Sequence, residues 1–135
     1  MWYTELVLFG KEISMLNCMI VGLGGFLGSV CRYLIGLIPV REETAFPVKT
    51  FAINAAGAFL IGVIAGLTAK NGSANPRFVL FLKAGICGGF TTFSSFALES
   101  SDLVKGGHPL MAALYAGMSI AAGMLAVYAG EAAAG

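Results

Sequence analysis

Four apolar stretches divide the chain, at approximately residues 15 to 38, 48 to 69, 78 to 104 and 109 to 130. About 20 apolar residues wound as a helix cross the roughly 30 Å hydrocarbon core of a bilayer, so each stretch predicts one membrane-spanning helix. Between them lie short segments dense in turn formers: Pro39 to Pro47 with Arg41, Glu42 and Glu43, then Asn71-Gly72-Ser73-Ala74-Asn75-Pro76, then Gly106-Gly107-His108-Pro109. Gly, Pro and Asn at that density punctuate helices, and none of these segments is long enough to be a domain. The pattern predicts an all-α membrane protein in two parts, an extension over residues 1–14 and a four-helix transmembrane domain over residues 15–135. The third stretch differs from the others. Gly85, Gly88 and Gly89, with the hydroxyls of Thr91, Thr92, Ser94 and Ser95, occupy its middle. Glycine pairs loosen a helix, and irregular backbone is tolerated at membrane depth only where protein buries it or where it lines a polar cavity. The expectation is a broken third helix with a site at the break.

Composition supports the membrane reading. Hydrophobic residues make up 58% of the chain and charged residues 11%, with a mean hydropathy of +0.86, whereas about a quarter of a soluble domain is charged. Eight Lys and Arg against seven Asp and Glu leave no basic excess to neutralise phosphates, which excludes a nucleic-acid partner. The extension carries Glu5, Lys11 and Glu12 around Trp2, Tyr3, Leu6, Val7 and Phe9. It lacks a well-formed basic start, apolar core and small-residue cleavage site, so it does not read as a signal peptide; an aromatic-rich segment at headgroup level is the expectation. Cys18, Cys31 and Cys87 fall inside spans without metal-ligand spacing, and His108 stands alone in a loop. Ser/His/Asp, Cys/His and paired-carboxylate arrangements are missing, and an enzyme is not expected.

Charge flanking the spans is nearly balanced. Lys11, Lys70, Arg77 and the deeper Lys83 fall on one side, Arg41, Lys49 and Lys105 on the other. Orientation normally follows Lys/Arg asymmetry, so this balance agrees with insertion both ways and antiparallel pairing of two copies. Small residues recur four apart, as Gly24 and Gly28, as Ala58, Gly62 and Gly66, and as Gly85 and Gly89, a spacing that lets helix backbones approach closely in lipid. Four spans enclose a water-lined route poorly, which makes a homodimer the smallest functional unit expected.

Polar side chains inside spans must find a partner or a water. Asn54 offers two N–H donors without the mobile proton of an acid, for an anion or for a neighbouring helix. Arg32 lies about two turns before Pro39 and suits snorkelling or the attraction of anions. Phe93 and Phe96, three apart, share a face; they are core or lipid contacts, or rings whose positive edges meet an anion. Tyr115 and Ser119, four apart, also face one way.

The run Gly88-Gly89-Phe90-Thr91-Thr92-Phe93-Ser94-Ser95-Phe96 resembles the third-helix signature of the Fluc/CrcB fluoride channel family, close to Gly-Gly-x-Thr-Thr-Phe-Ser-Thr-Phe, with Ser95 in place of a Thr. Gly24-Gly25-Phe26-Leu27-Gly28-Ser29-Val30-Cys31-Arg32-Tyr33 is similar to its first-helix pattern. Pro47, Thr50, Asn54, Gly57 and Gly62 are similar to its second, where Lys49 replaces the usual Gly. The resemblance implies a passive channel that exports cytoplasmic fluoride across the inner (plasma) membrane. It also implies an antiparallel, dual-topology homodimer with two pores. Carried over residue by residue, it sets Asn54, Phe93, Phe96, Tyr115, Ser119 and Ser95 along the fluoride path and Arg32 in a vestibule. Glu99 matches a family glutamate of open role. A structural sodium ion would be held by the backbone carbonyls of Gly88 and Thr91 from both subunits. Two other readings compete. A small dual-topology drug/proton antiporter needs a membrane carboxylate, usually in the first helix, and the first span has none; a non-transporting scaffold subunit leaves the clustered hydroxyls and Asn54 without a task.

Overall fold

The computed structural model describes residues 6–8, 11–41, 43 and 45–135. Four helical stretches are long and apolar enough to cross a membrane: α1 Met15–Gly36, α2 Val48–Lys70, a composite third span Pro76–Lys105 and α6 Pro109–Ala133. Each ends within a turn of the boundary that hydropathy predicts. Residues 1–5 and 9–10 of the extension lie outside the described residues. Its described backbone forms β1 Leu6–Leu8 and β2 Lys11–Ile13, paired antiparallel with Leu6 opposite Ile13, a ribbon that the hydrophobic pattern does not announce.

The third span is several helices in series. It opens as α3, Pro76–Leu80, where Pro76 stands at the first turn and Asn75 Oδ1 accepts from the Arg77 amide at 3.0 Å; proline costs least there because that N–H has no helical partner. A π-helical stretch, Phe81–Cys87, follows, then the single turn α4, Gly88–Phe90. At Thr91 and Thr92 the backbone turns extended, with φ/ψ of −78/157° and −147/112°. Helix resumes as α5, Phe93–Lys105, capped by the Thr92 hydroxyl, which accepts from the Ser95 amide at 3.2 Å. The expected break is therefore present, two residues long and preceded by a widened turn.

Packing runs in two pairs. α2 lies chiefly against α6, and α1 lies against the π-helical stretch and α4. Lipid gives no hydrophobic drive to bring helices together, so contact must come from close backbone approach. A Cβ built on Gly24 would lie 2.6 Å from the Phe81 carbonyl oxygen and 2.8 Å from Gly85 Cα; one on Gly28 would strike the Ile86 carbonyl oxygen and lie 2.8 Å from the Phe90 amide nitrogen. Buried side chains are few, with Leu103, Ala112 and Tyr115 forming a small core beside Phe46, Phe51, Phe96 and Met111. Large apolar residues such as Leu23, Phe26, Leu110, Leu125 and Tyr128 face outward, as a chain solvated by lipid requires.

Gly28→Ala is expected to lower thermal stability in detergent by about 1–3 kcal/mol, the usual cost of forcing a methyl into a filled site. Gly22→Ala, which meets nothing within 4 Å, is expected to be neutral. Equal melting of the two variants would contradict the assigned helix contact.

Candidate functional site

The break in the third span is held from outside by α2. Asn54 Nδ2 donates to the Thr92 carbonyl at 3.1 Å, and the Thr92 amide donates to Asn54 Oδ1 at 2.8 Å. One side chain thereby satisfies both polar groups of a residue outside helical geometry and keeps one N–H to spare. In an unbroken helix each amide bonds the carbonyl four residues earlier, so the Thr92 amide would serve Gly88 and the Ser95 amide would serve Thr91. Both are diverted, the first to Asn54 Oδ1 and the second to the Thr92 hydroxyl. The carbonyls of Gly88 and Thr91 lose those helical donors. Gly88 is exposed on the surface of the chain and Thr91 is half-buried. The Thr91 hydroxyl folds back onto the Cys87 carbonyl at 2.9 Å.

Arg32 sits behind the break. Its Nε donates to the Gly89 carbonyl at 3.2 Å, and the Ser29 hydroxyl reaches the same oxygen at 3.4 Å. The guanidinium thus complements the negative carbonyl end of α4, where cations are favoured, and braces α1 against it. Lys49 likewise donates to the Gly36 carbonyl at 3.0 Å, the last residue of α1.

Glu99 is bound at both oxygens. The Thr50 hydroxyl donates to Oε1 at 2.6 Å and the Tyr115 hydroxyl to Oε2 at 2.7 Å. Both distances are those of well-formed O–H···O bonds, and these two tie α2, α5 and α6 together. Tyr115 is 0% exposed. Phe46 and Phe96 lie against its ring at centroid distances of 5.3 and 5.1 Å, and Phe93 lies 5.6 Å from Phe96.

Two cavities flank this cluster. One, of about 420 Å³, is bounded by Asn54, Lys83, Thr91, Phe93, Phe96 and Ser119, with Gly88 also on its wall. The other, of about 380 Å³, opens among Phe46, Lys49, Thr50, Glu99, Asp102 and His108. Phe96 lines the first and Glu99 the second, and Tyr115 contacts both residues. Ser119 lies on the wall of the first cavity, and its hydroxyl oxygen is buried with no partner among the described residues, so its hydrogen-bonding capacity is unspent. A buried polar atom in that state is costly unless something else occupies the site.

The structure brings together Asn54, Phe93, Phe96, Ser119, Gly88 and Thr91 around one cavity and places Glu99 on the other. Ser95 turns inward to the break, its Oγ accepting from the Thr92 hydroxyl at 3.0 Å. Tyr115 lines neither cavity, and Arg32 lies on the α1 side, away from both. Sequence reasoning passed over Phe46, the Thr50 bond to Glu99 and the cavity position of Lys83. The third was within reach, because Lys83, Cys87 and Thr91 recur four apart and so share one face.

Residues 19–131 match the family model described as CrcB-like protein, Camphor Resistance (CrcB). The fluoride-specific ion channel FluC of Chlorobium chlorochromatii (strain CaD3) is 45% identical over 114 residues, covering 84% of this chain and 88% of the relative. The protein of the same name from Chlorobaculum tepidum is 44% identical over 116 residues, covering 86% and 92%. That of Rhizobium meliloti (strain 1021) is 42% identical over 115 residues, covering 84% and 92%.

Asn54→Ala leaves the amide and carbonyl of Thr92 without their partners. The expected result is a loss of about 1–3 kcal/mol in denaturant stability, the penalty for an unsatisfied buried polar group. Asn54→Asp keeps an acceptor for the Thr92 amide and should lose less. An Asn54→Ala protein as stable as the parent would show that the clamp does not hold the break.

Proposed function

The chain belongs to the CrcB-like family of fluoride-specific channels, and from that premise we propose that it is a passive, fluoride-selective channel whose path runs through the cavity between α2, the broken span and α6. The observation that carries this reading is the Ser119 hydroxyl, buried and unpartnered on the same wall as Phe93, Phe96 and Asn54. Fluoride is small and strongly hydrated, so a pore must replace water's hydrogen bonds with donors held close. Ser119 supplies one whole hydroxyl and Asn54 its spare N–H. The rings of Phe93 and Phe96 present positive edges to an anion and an apolar body that excludes water and cations. Tyr115 serves indirectly, since its hydroxyl is spent on Glu99 while its ring backs Phe96.

No catalytic step is involved and no energy source is needed. Hydrogen fluoride enters uncharged and dissociates near neutral pH. The anion then leaves down its gradient, helped by a negative-inside potential worth about 2.3 kcal/mol per charge per 100 mV.

The unit that conducts is an antiparallel homodimer. Phe93 is 79% exposed on one chain and Gly88 is exposed beside it; a second copy, inverted, covers both and closes the path. The near balance of flanking charge supports dual insertion. A sodium ion fits at the dimer centre, held by the carbonyls of Gly88 and Thr91, whose helical donors are diverted elsewhere. Neutral carbonyl oxygens suit a hard cation, and its charge would raise the local potential that anions meet.

Purified protein in liposomes is expected to pass fluoride and exclude chloride. Phe93→Ile and Phe96→Ile, which keep volume and apolarity roughly constant and should cost less than about 1.5 kcal/mol in packing, are expected to lower fluoride flux by orders of magnitude; Tyr115→Phe should lower it less. Assembled Ile variants that conduct like the parent would remove the two rings from the path, and equal fluoride and chloride flux in the parent would end the selectivity claim. Cysteine crosslinking should recover antiparallel pairs, whereas a uniform orientation of all copies would rule out that architecture.

A further inference from the structure

Lys83 is a charged residue that the channel reading leaves without a task. It lies in the π-helical stretch, about two turns into the third span. An ammonium at that depth is costly and persists where it reaches a partner or a water-filled cavity. Lys83 lines the 420 Å³ cavity together with Ile61 and Val127, and is the only charged side chain on that wall among the described residues. Glu99 and Asp102 belong to the other cavity. No side-chain hydrogen bond within the described residues uses its ammonium. Arg32, the cation expected to draw anions inward, is committed to the Gly89 carbonyl on the far side of the span.

We propose that Lys83 is the charge that gathers small monovalent anions at one mouth of this cavity, from which they pass to the hydroxyl of Ser119. The π-helical turn matters to this placement. In it the Gly88 amide reaches back to the Lys83 carbonyl, five residues earlier, so the widened turn sets the angle between the lysine and the freed carbonyl of Gly88. A cleft of one sign with low-dielectric walls focuses its field and raises the local concentration of a counter-ion by tenfold or more. The consequence is kinetic. Lys83 governs how fast an anion is captured when fluoride is scarce and has little influence once the path is saturated. This inference rests on the channel reading and adds to it a residue that sets the rate of anion capture.

The test compares the parent with Lys83→Arg, Lys83→Gln and Lys83→Glu in liposomes loaded with fluoride from far below to far above saturation. Initial efflux is followed with a fluoride electrode in low and high potassium isethionate. At low fluoride and low salt, Lys83→Arg should match the parent, Lys83→Gln should fall by about tenfold or more, and Lys83→Glu should fall further. The differences should close at saturating fluoride or in high salt, which screens the charge. The parent alone should show the same salt sensitivity at low fluoride, a reading that stands even if a variant fails to assemble. Efflux that is equal in the parent and Lys83→Gln at low fluoride overturns the inference, because the ammonium then lies in the headgroup region. A uniform loss at every fluoride and salt concentration overturns it too, because Lys83 is then structural. A parent that passes no fluoride overturns the channel reading first, and this inference with it.

Discussion

The two hydrogen bonds between Asn54 and Thr92 are the constraint on which the remaining structure depends. Two consecutive extended residues in the middle of a membrane span would expose polar backbone to hydrocarbon, at a cost of several kcal/mol per group. The clamp meets that cost from a neighbouring helix and turns it to use. With Asn54 on its amide, Thr92 takes the geometry of a cap, and its hydroxyl draws off the Ser95 amide. The carbonyls of Gly88 and Thr91 are thereby released together, while α5 restarts at an angle that sets Phe93 and Phe96 on the cavity wall. Break, cap, freed carbonyls and aromatic wall follow from one side chain.

Everything else keeps that clamp in register. The α1 contact at Gly24 and Gly28 holds the widened turn, and Arg32 closes α4 from behind. Glu99, gripped by Thr50 and Tyr115, fixes the α5 side. These bonds are directional and few, as expected where lipid offers no hydrophobic gain for burying one helix against another. The burial pattern agrees: Phe93 stands exposed while Tyr115 is sealed.

The four spans were legible in the sequence because hydropathy and length suffice to find them, and the break was legible in kind because glycines and hydroxyls in an apolar run leave few alternatives. What the break does to its neighbours was not. The partner of Asn54 lies 38 residues away, so spacing along α2 cannot reveal that the amide serves Thr92 before any ion. Tyr115 and Ser119 do share a helical face, yet their environments diverge: one hydroxyl meets Glu99, itself supplied by another span, and the other is buried without a partner among the described residues. Arg32 at a helix end invites a snorkelling or vestibule reading, and only the packing of α1 on α4 shows the carbonyl that it reaches. The π-helical turn and the β1–β2 ribbon leave no periodic signal of their own, since both depend on contacts that a hydrophobic pattern does not encode.

The break takes the helical donors away from the carbonyls of Gly88 and Thr91. Isotope-edited infrared spectroscopy, with a ¹³C=¹⁸O label placed in turn at Gly88, at Thr91 and at Gly117 inside α6, reads it most directly. A carbonyl without a helical donor absorbs at higher frequency than one that has it. Gly88 and Thr91 are expected to absorb above Gly117 in sodium-free buffer with N-methylglucamine as the cation, and sodium is expected to shift those two bands while leaving Gly117 unchanged. Bands at Gly88 and Thr91 that coincide with Gly117 and ignore sodium would contradict it.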